Sequence, residues 1–163
     1  MKDHSKLSRV YLNNLSPKNP GYTVFETNEI DANIFTKEKL FAHLVVLLSG
    51  RNAEKLFFNK SVTTGAMKDF EQAYKLAEDM IVKYGMGDYD IYTFISNRSK
   101  DIIDKEIFDL LEKANNRSFE ILDKSKDIID ELSDLLIERN KLDRRTIELK
   151  IYRKLPNLLS SQY

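Results

Sequence analysis

The sequence predicts a mainly α-helical fold with a small two-stranded β element at its N-terminus. Three observations carry this. Short β-prone runs in the first 30 residues flank a turn-rich stretch holding Pro17, Pro20 and Gly21. From Thr36 onward apolar residues recur at three- and four-residue steps, the spacing of one helix face. No internal repeat or low-complexity linker interrupts that pattern.

The chain has 163 residues. That suits a single domain over 1–163: a β element and loop in 1–30, a helical region in 36–153 and a tail in 154–163. A domain of this size buries roughly 70% of its unfolded surface and needs no staples. Hydrophobic residues make up 42% and charged residues 32%, the balance of a soluble globular protein. Basic and acidic residues number 26 each, so no basic excess points to nucleic acid. There is no cysteine, which excludes disulfides and thiolate metal sites. The longest apolar run, "LFAHLVVLL" at 40–48, is far short of the roughly 20 residues that span a bilayer. "MKDHSKLSRV" lacks the apolar core of a secretory signal. The expectation is a soluble protein of the cytoplasm or an organelle matrix or stroma, with no direct membrane insertion.

The elements follow in order. "SRVYLNNL" and "GYTVFET" read as two strands joined by "SPKNPG". A two-stranded ribbon is marginal alone and must pack on helices. Thr36 caps a helix running through "KEKLFAHLVVLLSGRNAEKLFF". Leu40, Leu44, Leu47 and Leu48 form its inner stripe, widened by Phe41 and Val45, as in a central, largely buried helix. Gly50 costs about 1 kcal/mol against alanine inside a helix, so it is expected to mark close packing or a break. The next helix starts near Thr64 or Gly65 and carries Phe70, Ala73, Ala77, Met80, Ile81 and Tyr84 on its inner face. It ends at "KYG", with Gly85 past its C-terminus. "GDYDIYTFISN" follows as a loop. Two helices, about 99–125 and 126–140, read as an αα-hairpin. Asp143 caps a last helix, "RRTIELKIYRKL"; Pro156 stops it, and "NLLSSQY" is a frayed tail.

The catalytic inventory is short. The sequence holds no H-E-x-x-H, no P-loop, no G-x-S-x-G and no cysteine nucleophile. Of the two histidines, His4 lies in the terminus and His43 inside "FAHLVV", where a packing role is the plain reading. No catalytic residue is assigned. Asp69 lies five residues into its helix, with Ala73 and Leu76 at i+4 and i+7, so it borders the buried stripe. It is also in the first turns, where the helix dipole favours an anion. Spacing alone makes it a boundary charge that complements that dipole.

Three blocks say more. "LLSGRNAEKLFFN", "VTTGAMKDFEQAYKLAEDMIVKYGM" and "DIIDKEIFDLLEKANNRSFEILDKSKDIIDELSDLLIERNKLDRRTIE" resemble, in this order, the peptidase domain of the FtsH-type ATP-dependent zinc metalloproteases. "GYTVFE" and "FTKEKLFAHL" resemble its strand and following helix, and the resemblance covers roughly residues 8–150. It implies a mostly helical domain with a small β element. It also implies zinc held by two histidines of an H-E-x-x-H helix and by an aspartate of the "TTGA-x-x-D" block. By position that aspartate is Asp69, the third zinc-ligand position. Glu54 matches the first acidic residue of the family's "GR-x-A-E-E" element and Lys55 replaces the second; Glu54 is given no catalytic role. "MKDF" replaces the family's usual Ser-Asn-Asp run but keeps the aspartate.

In the family the H-E-x-x-H helix precedes the strand that "SRVYLNNL" resembles, and this chain begins at Met1, after it. On this reading the family's ATPase module and membrane anchor, which lie further upstream, are expected to be absent as well. A catalytic zinc needs about three protein ligands, so one carboxylate does not hold it. No cofactor is therefore expected for the isolated chain, and zinc only if a partner completes the site. The apolar faces of helices 36–58 and 65–84 are expected to be partly bare and to drive self-association or association with an FtsH-like protease subunit. The first functional expectation is an interaction or assembly module, inactive as a protease by itself. The second is a subunit of a split ATP-dependent zinc metalloendopeptidase whose H-E-x-x-H and ATPase parts lie on another chain. The third is a remnant without function.

Overall fold

A computed structural model describes residues 7–12, 21–26, 35–58, 63–89 and 97–154, without the side chains of 97–99. His4, the turn with Pro17 and Pro20, most of the loop after Asp88, Pro156 and the tail lie outside the described residues. The fold is mainly α, as its periodicity predicts. Strands β1 (Leu7–Leu12) and β2 (Gly21–Phe25) are followed by helices α1 (Lys37–Phe57), α2 (Met67–Glu78), α3 (Asn97–Lys124) and α4 (Lys126–Arg139). A third strand, β3 (Lys141–Asp143), and helix α5 (Arg144–Lys154) close the described chain. Two compact units emerge. One comprises Ile34–Lys124; the other joins Met1–Asn33 to Ser125–Tyr163.

In the first unit α1 is the central helix. Thr36 caps it, its hydroxyl accepting from the Lys39 amide at 3.2 Å. Leu40, Leu44, Val45, Leu47 and Leu48 are buried and face Ala73, Ala77, Met80 and Ile81 on one side. Ile103, Ile107, Leu110 and Ala114 of α3 belong to the same cluster. Ala73 and Ala77 of α2 are fully buried in this cluster. Two residues assigned to the inner face lie outside it: Phe70 is 50% and Tyr84 53% exposed. Gly50 also departs from expectation. It is exposed, the helix runs straight through it, and a methyl there would meet nothing within 4 Å.

The second helix has three parts. One 3₁₀ turn (Thr64–Ala66) leads into α2, and a π-helical segment (Asp79–Lys83) ends it. The Tyr84 amide bonds back to Asp79 and the Met86 amide to Met80, at 3.0 and 2.8 Å. Gly85 between them has φ of +60°, a conformation that glycine adopts without a Cβ penalty. Beyond it the carboxylate of Glu106 is buried and accepts the amides of Asp88 and Tyr89 at 2.7 and 3.0 Å.

In the other unit the sheet has three strands, not two, in the order β2-β1-β3, both pairings antiparallel. Arg9 pairs with Asp143 and Tyr11 with Lys141, so β3 supplies a partner from 130 or more positions downstream. Asn140, at φ of 59°, turns α4 into β3 within one residue, and its carbonyl accepts the Leu12 amide at 2.9 Å. Asp143 then caps α5, accepting from the Thr146 amide at 2.8 Å. Ile128, Leu142 and Ile147 are buried among the described residues of this unit. The expected αα-hairpin spans the boundary between the two units, and each of its helices is described in its own unit. α3 finds its partners in α1 and α2, whereas α4 finds its partners in α5, β1 and β3.

Candidate functional site

Asp69 stands in the first turn of α2. Thr63 is extended (φ −105°, ψ 173°) and its hydroxyl accepts from the Gly65 amide at 3.1 Å. The 3₁₀ turn follows, and its Ala66 is buried at the margin of the core. Asp69 itself is exposed, and no hydrogen bond or ion pair joins it to another described residue. Among the described residues its carboxylate oxygens have no partner, and they sit where the dipole of α2 favours negative charge.

Two side chains of α1 reach this segment from one turn. Glu54 accepts the Thr63 amide on Oε2 at 2.9 Å and the Thr63 hydroxyl on Oε1 at 2.7 Å. The hydroxyl and then the amide of Thr63 hold the Glu54 carboxyl below its ordinary value, with a smaller contribution from the charge of Arg51. The Arg51 guanidinium lies 5.3 Å from the ring centre of Phe70, next to Asp69. Glu54 and Arg51 were legible only as motif letters. Their contacts cross nine and nineteen positions, a distance that helical periodicity does not address.

Zinc wants about three protein donors arranged around one point. Among the described residues no three histidine, cysteine, aspartate or glutamate side chains come together in that way. Asp69 by itself is one exposed carboxylate donor, and it belongs to no group of three such side chains among the described residues. His43 is exposed on α1. A cavity of about 540 Å³ elsewhere in the unit is lined by Lys37, Phe41, Met86, Asp88, Glu106 and Lys113 among others, and Asp69 is not part of its wall. Its acidic and basic groups neutralise one another, with Asp88 3.8 Å from both Lys37 and Lys113.

Known proteins give this geometry its class. The family model of peptidase family M41 matches residues 1–149. The chain is 31% identical over 152 residues to the ATP-dependent zinc metalloprotease FtsH of Clostridium perfringens, covering 83% of this chain and 21% of that protein. It is 32% identical over 162 residues to the protein of the same name from Corynebacterium glutamicum, covering 87% and 19%. A chloroplastic ATP-dependent zinc metalloprotease FTSH from Medicago sativa is 29% identical over 150 residues, covering 76% and 20%. This is the class of fold the helices and the "TTGA-x-x-D" block point to: a metallopeptidase domain. The chain belongs to peptidase family M41, and it spans about a fifth of the length of the curated relatives it matches. Among the described residues no helix is long and apolar enough to cross a membrane.

Proposed function

We propose that this chain is a peptidase-domain module of an FtsH-type zinc metalloprotease, and that it contributes Asp69 as one zinc ligand to a site completed from elsewhere in the assembly. The observation that carries this reading is the state of Asp69 itself. A carboxylate at the family's aspartate position is solvent-exposed and without a described partner, on a helix start that α1 holds in place. Bound zinc would supply an activated water and polarise the scissile carbonyl. What this chain's residues do is narrower: Asp69 offers one anionic oxygen ligand, α2 orients it, and α1 buttresses α2.

A second reading, an assembly module without catalytic duty, is favoured by a different observation. Met67, Phe70 and Tyr74 follow one another at three- and four-residue steps on α2 and are 50–55% exposed. Such a stripe suits a partner helix.

The test is purification of the native assembly that contains this chain, followed by measurement of bound zinc and of hydrolysis of an unfolded protein substrate. The proposal expects stoichiometric zinc and peptidase activity, both lost in Asp69→Ala. Zinc and activity that persist in Asp69→Ala, or an assembly that never binds zinc, leave the assembly-module reading in its place.

A further inference from the structure

We propose that the cleft between the start of α1, the end of the second helix and α3 is a ligand site, and that it takes a primary ammonium group carried on an apolar body. The inference does not rest on the reading of Asp69, which is not part of this wall. The cleft encloses about 540 Å³, within the roughly 300–1,000 Å³ of sites that hold small molecules. Ile81 and Leu110 in its wall are buried core residues, and Phe41 and Met86 pack against the same core. The wall therefore offers apolar surface to the body of a ligand, and every residue of it belongs to the unit Ile34–Lys124.

The charges of the described wall sum to zero, three lysines against three carboxylates, but the signs are sorted by depth. Lys37, Lys105 and Lys113 are exposed, and so is Asp88, 3.8 Å from both Lys37 and Lys113. The other two carboxylates lie deeper. Glu106 is only 8% exposed. Its Oε1 accepts the Asp88 and Tyr89 amides at 2.7 and 3.0 Å, whereas its Oε2 is buried and takes no hydrogen bond among the described residues. Asp109, three residues on and so on the same face of α3, is half-buried and also without a described partner. A buried polar atom without a partner is costly, and negative charge held away from water acts strongly on a cation. Among the described residues no ion pair brings a lysine to Glu106 or Asp109. An ammonium group entering first answers both carboxylates, and its apolar body covers Ile81 and Leu110. The exposed lysines then face the trailing end of the ligand, which suits a neutral or anionic group there. A ligand entering with an anion first would meet Glu106 and Asp109 instead.

The test is titration of the full chain, without zinc, followed by calorimetry and by the amide resonances of Asp88 and Tyr89, which share the Glu106 carboxylate. The probes are phenylalaninamide, its N-acetyl derivative, which lacks the ammonium, and an amidated tetrapeptide with phenylalanine at a free N-terminus. Phenylalaninamide is expected to bind saturably and to shift both amides. The acetylated form is expected to bind about ten- to a hundredfold more weakly, the worth of a charge-assisted hydrogen bond. A tetrapeptide that binds as well as phenylalaninamide identifies the source as a peptide N-terminus; one that binds about tenfold or more weakly identifies a free small amine, and both support the ammonium site. Asp109→Asn is expected to weaken phenylalaninamide by about tenfold or more. Glu106→Gln keeps an acceptor for the two amides but removes the charge, and it carries the same expectation. If Glu106→Gln does not fold, Asp109→Asn decides, since its side chain has no described partner to lose. No saturable binding at millimolar phenylalaninamide, equal binding of the acetylated form, or full affinity in either variant overturns the proposal. With no zinc present, each of these outcomes leaves the reading of Asp69 as it stands.

Discussion

Gly87 lies directly against the carboxylate of Glu106. A Cβ at position 87 would come 3.0 Å from Cδ of Glu106 and into its Oε2. The carboxylate cannot swing aside cheaply, because its other oxygen holds the Asp88 and Tyr89 amides. Gly87→Ala is therefore expected to destabilise the chain by about 1–3 kcal/mol, the cost of overpacking a fitted site. Urea denaturation measures it. Most of that cost should vanish in a Glu106→Ala background, since the two residues share one contact. Strictly additive effects would show that the contact is not the cause.

Two other glycines should respond with opposite signs. Gly50 is helical, exposed and unopposed, so Gly50→Ala is expected to stabilise by about 0.5–1 kcal/mol. Gly85 is at φ of +60°, and alanine there should destabilise by roughly 1 kcal/mol through backbone strain alone. Thermal melts of the two variants, compared with the parent, read the difference.

Leu44 is fully buried at the centre of the α1 cluster. Truncation to alanine removes its contacts and leaves a cavity that α2 and α3 cannot fill without shifting. Leu44→Ala is expected to cost roughly 2–5 kcal/mol. A loss well below that range, measured by chemical denaturation, would mean that this cluster is loosely packed.

The Glu131 carboxylate of α4 is held low by Lys154 first and Lys150 second, at 2.6 and 3.2 Å on α5. A carboxyl with a depressed value in the folded state contributes stability above its unfolded value and loses it as pH falls through the folded one. The α5 amides are therefore expected to exchange faster on acidification, and Glu131→Gln should flatten that dependence. Side chains 39% exposed keep the effect modest. An unchanged acid profile in Glu131→Gln would assign the effect to another carboxylate.

Asp69→Asn should be nearly silent in stability. The residue is exposed and without a described partner, so only its interaction with the helix dipole is lost, less than about 1 kcal/mol. A large drop in melting temperature would show that Asp69 holds the fold together rather than serving a ligand.

Much of the helical frame was readable because its cause is local. Thr36 caps α1 by an oxygen three residues from the amide it accepts, and Asp143 does the same for α5. The buried stripe of α1 follows its 3.6-residue period through Leu40, Leu44, Leu47 and Leu48. The same logic overreached at Phe70 and Tyr84. Period marks a face, but the contact with α1 is held by the buried Ala73 and Ala77, while Phe70 and Tyr84 on the same face stay half exposed. β3 was missed because three residues carry no strand pattern, and their partner, β1, lies at the other end of the chain.

At the site the division is the same. The identity of Asp69, its place early in a helix and its membership of a metallopeptidase pattern are properties of the sequence, set by neighbours within a few positions. Its exposure, its freedom from described partners and the Glu54–Thr63 hydrogen bonds before its helix belong to the tertiary structure. Glu54 and Thr63 are nine residues apart on separate elements, and only the packing of α2 on α1 brings a carboxylate within 2.7 Å of that hydroxyl.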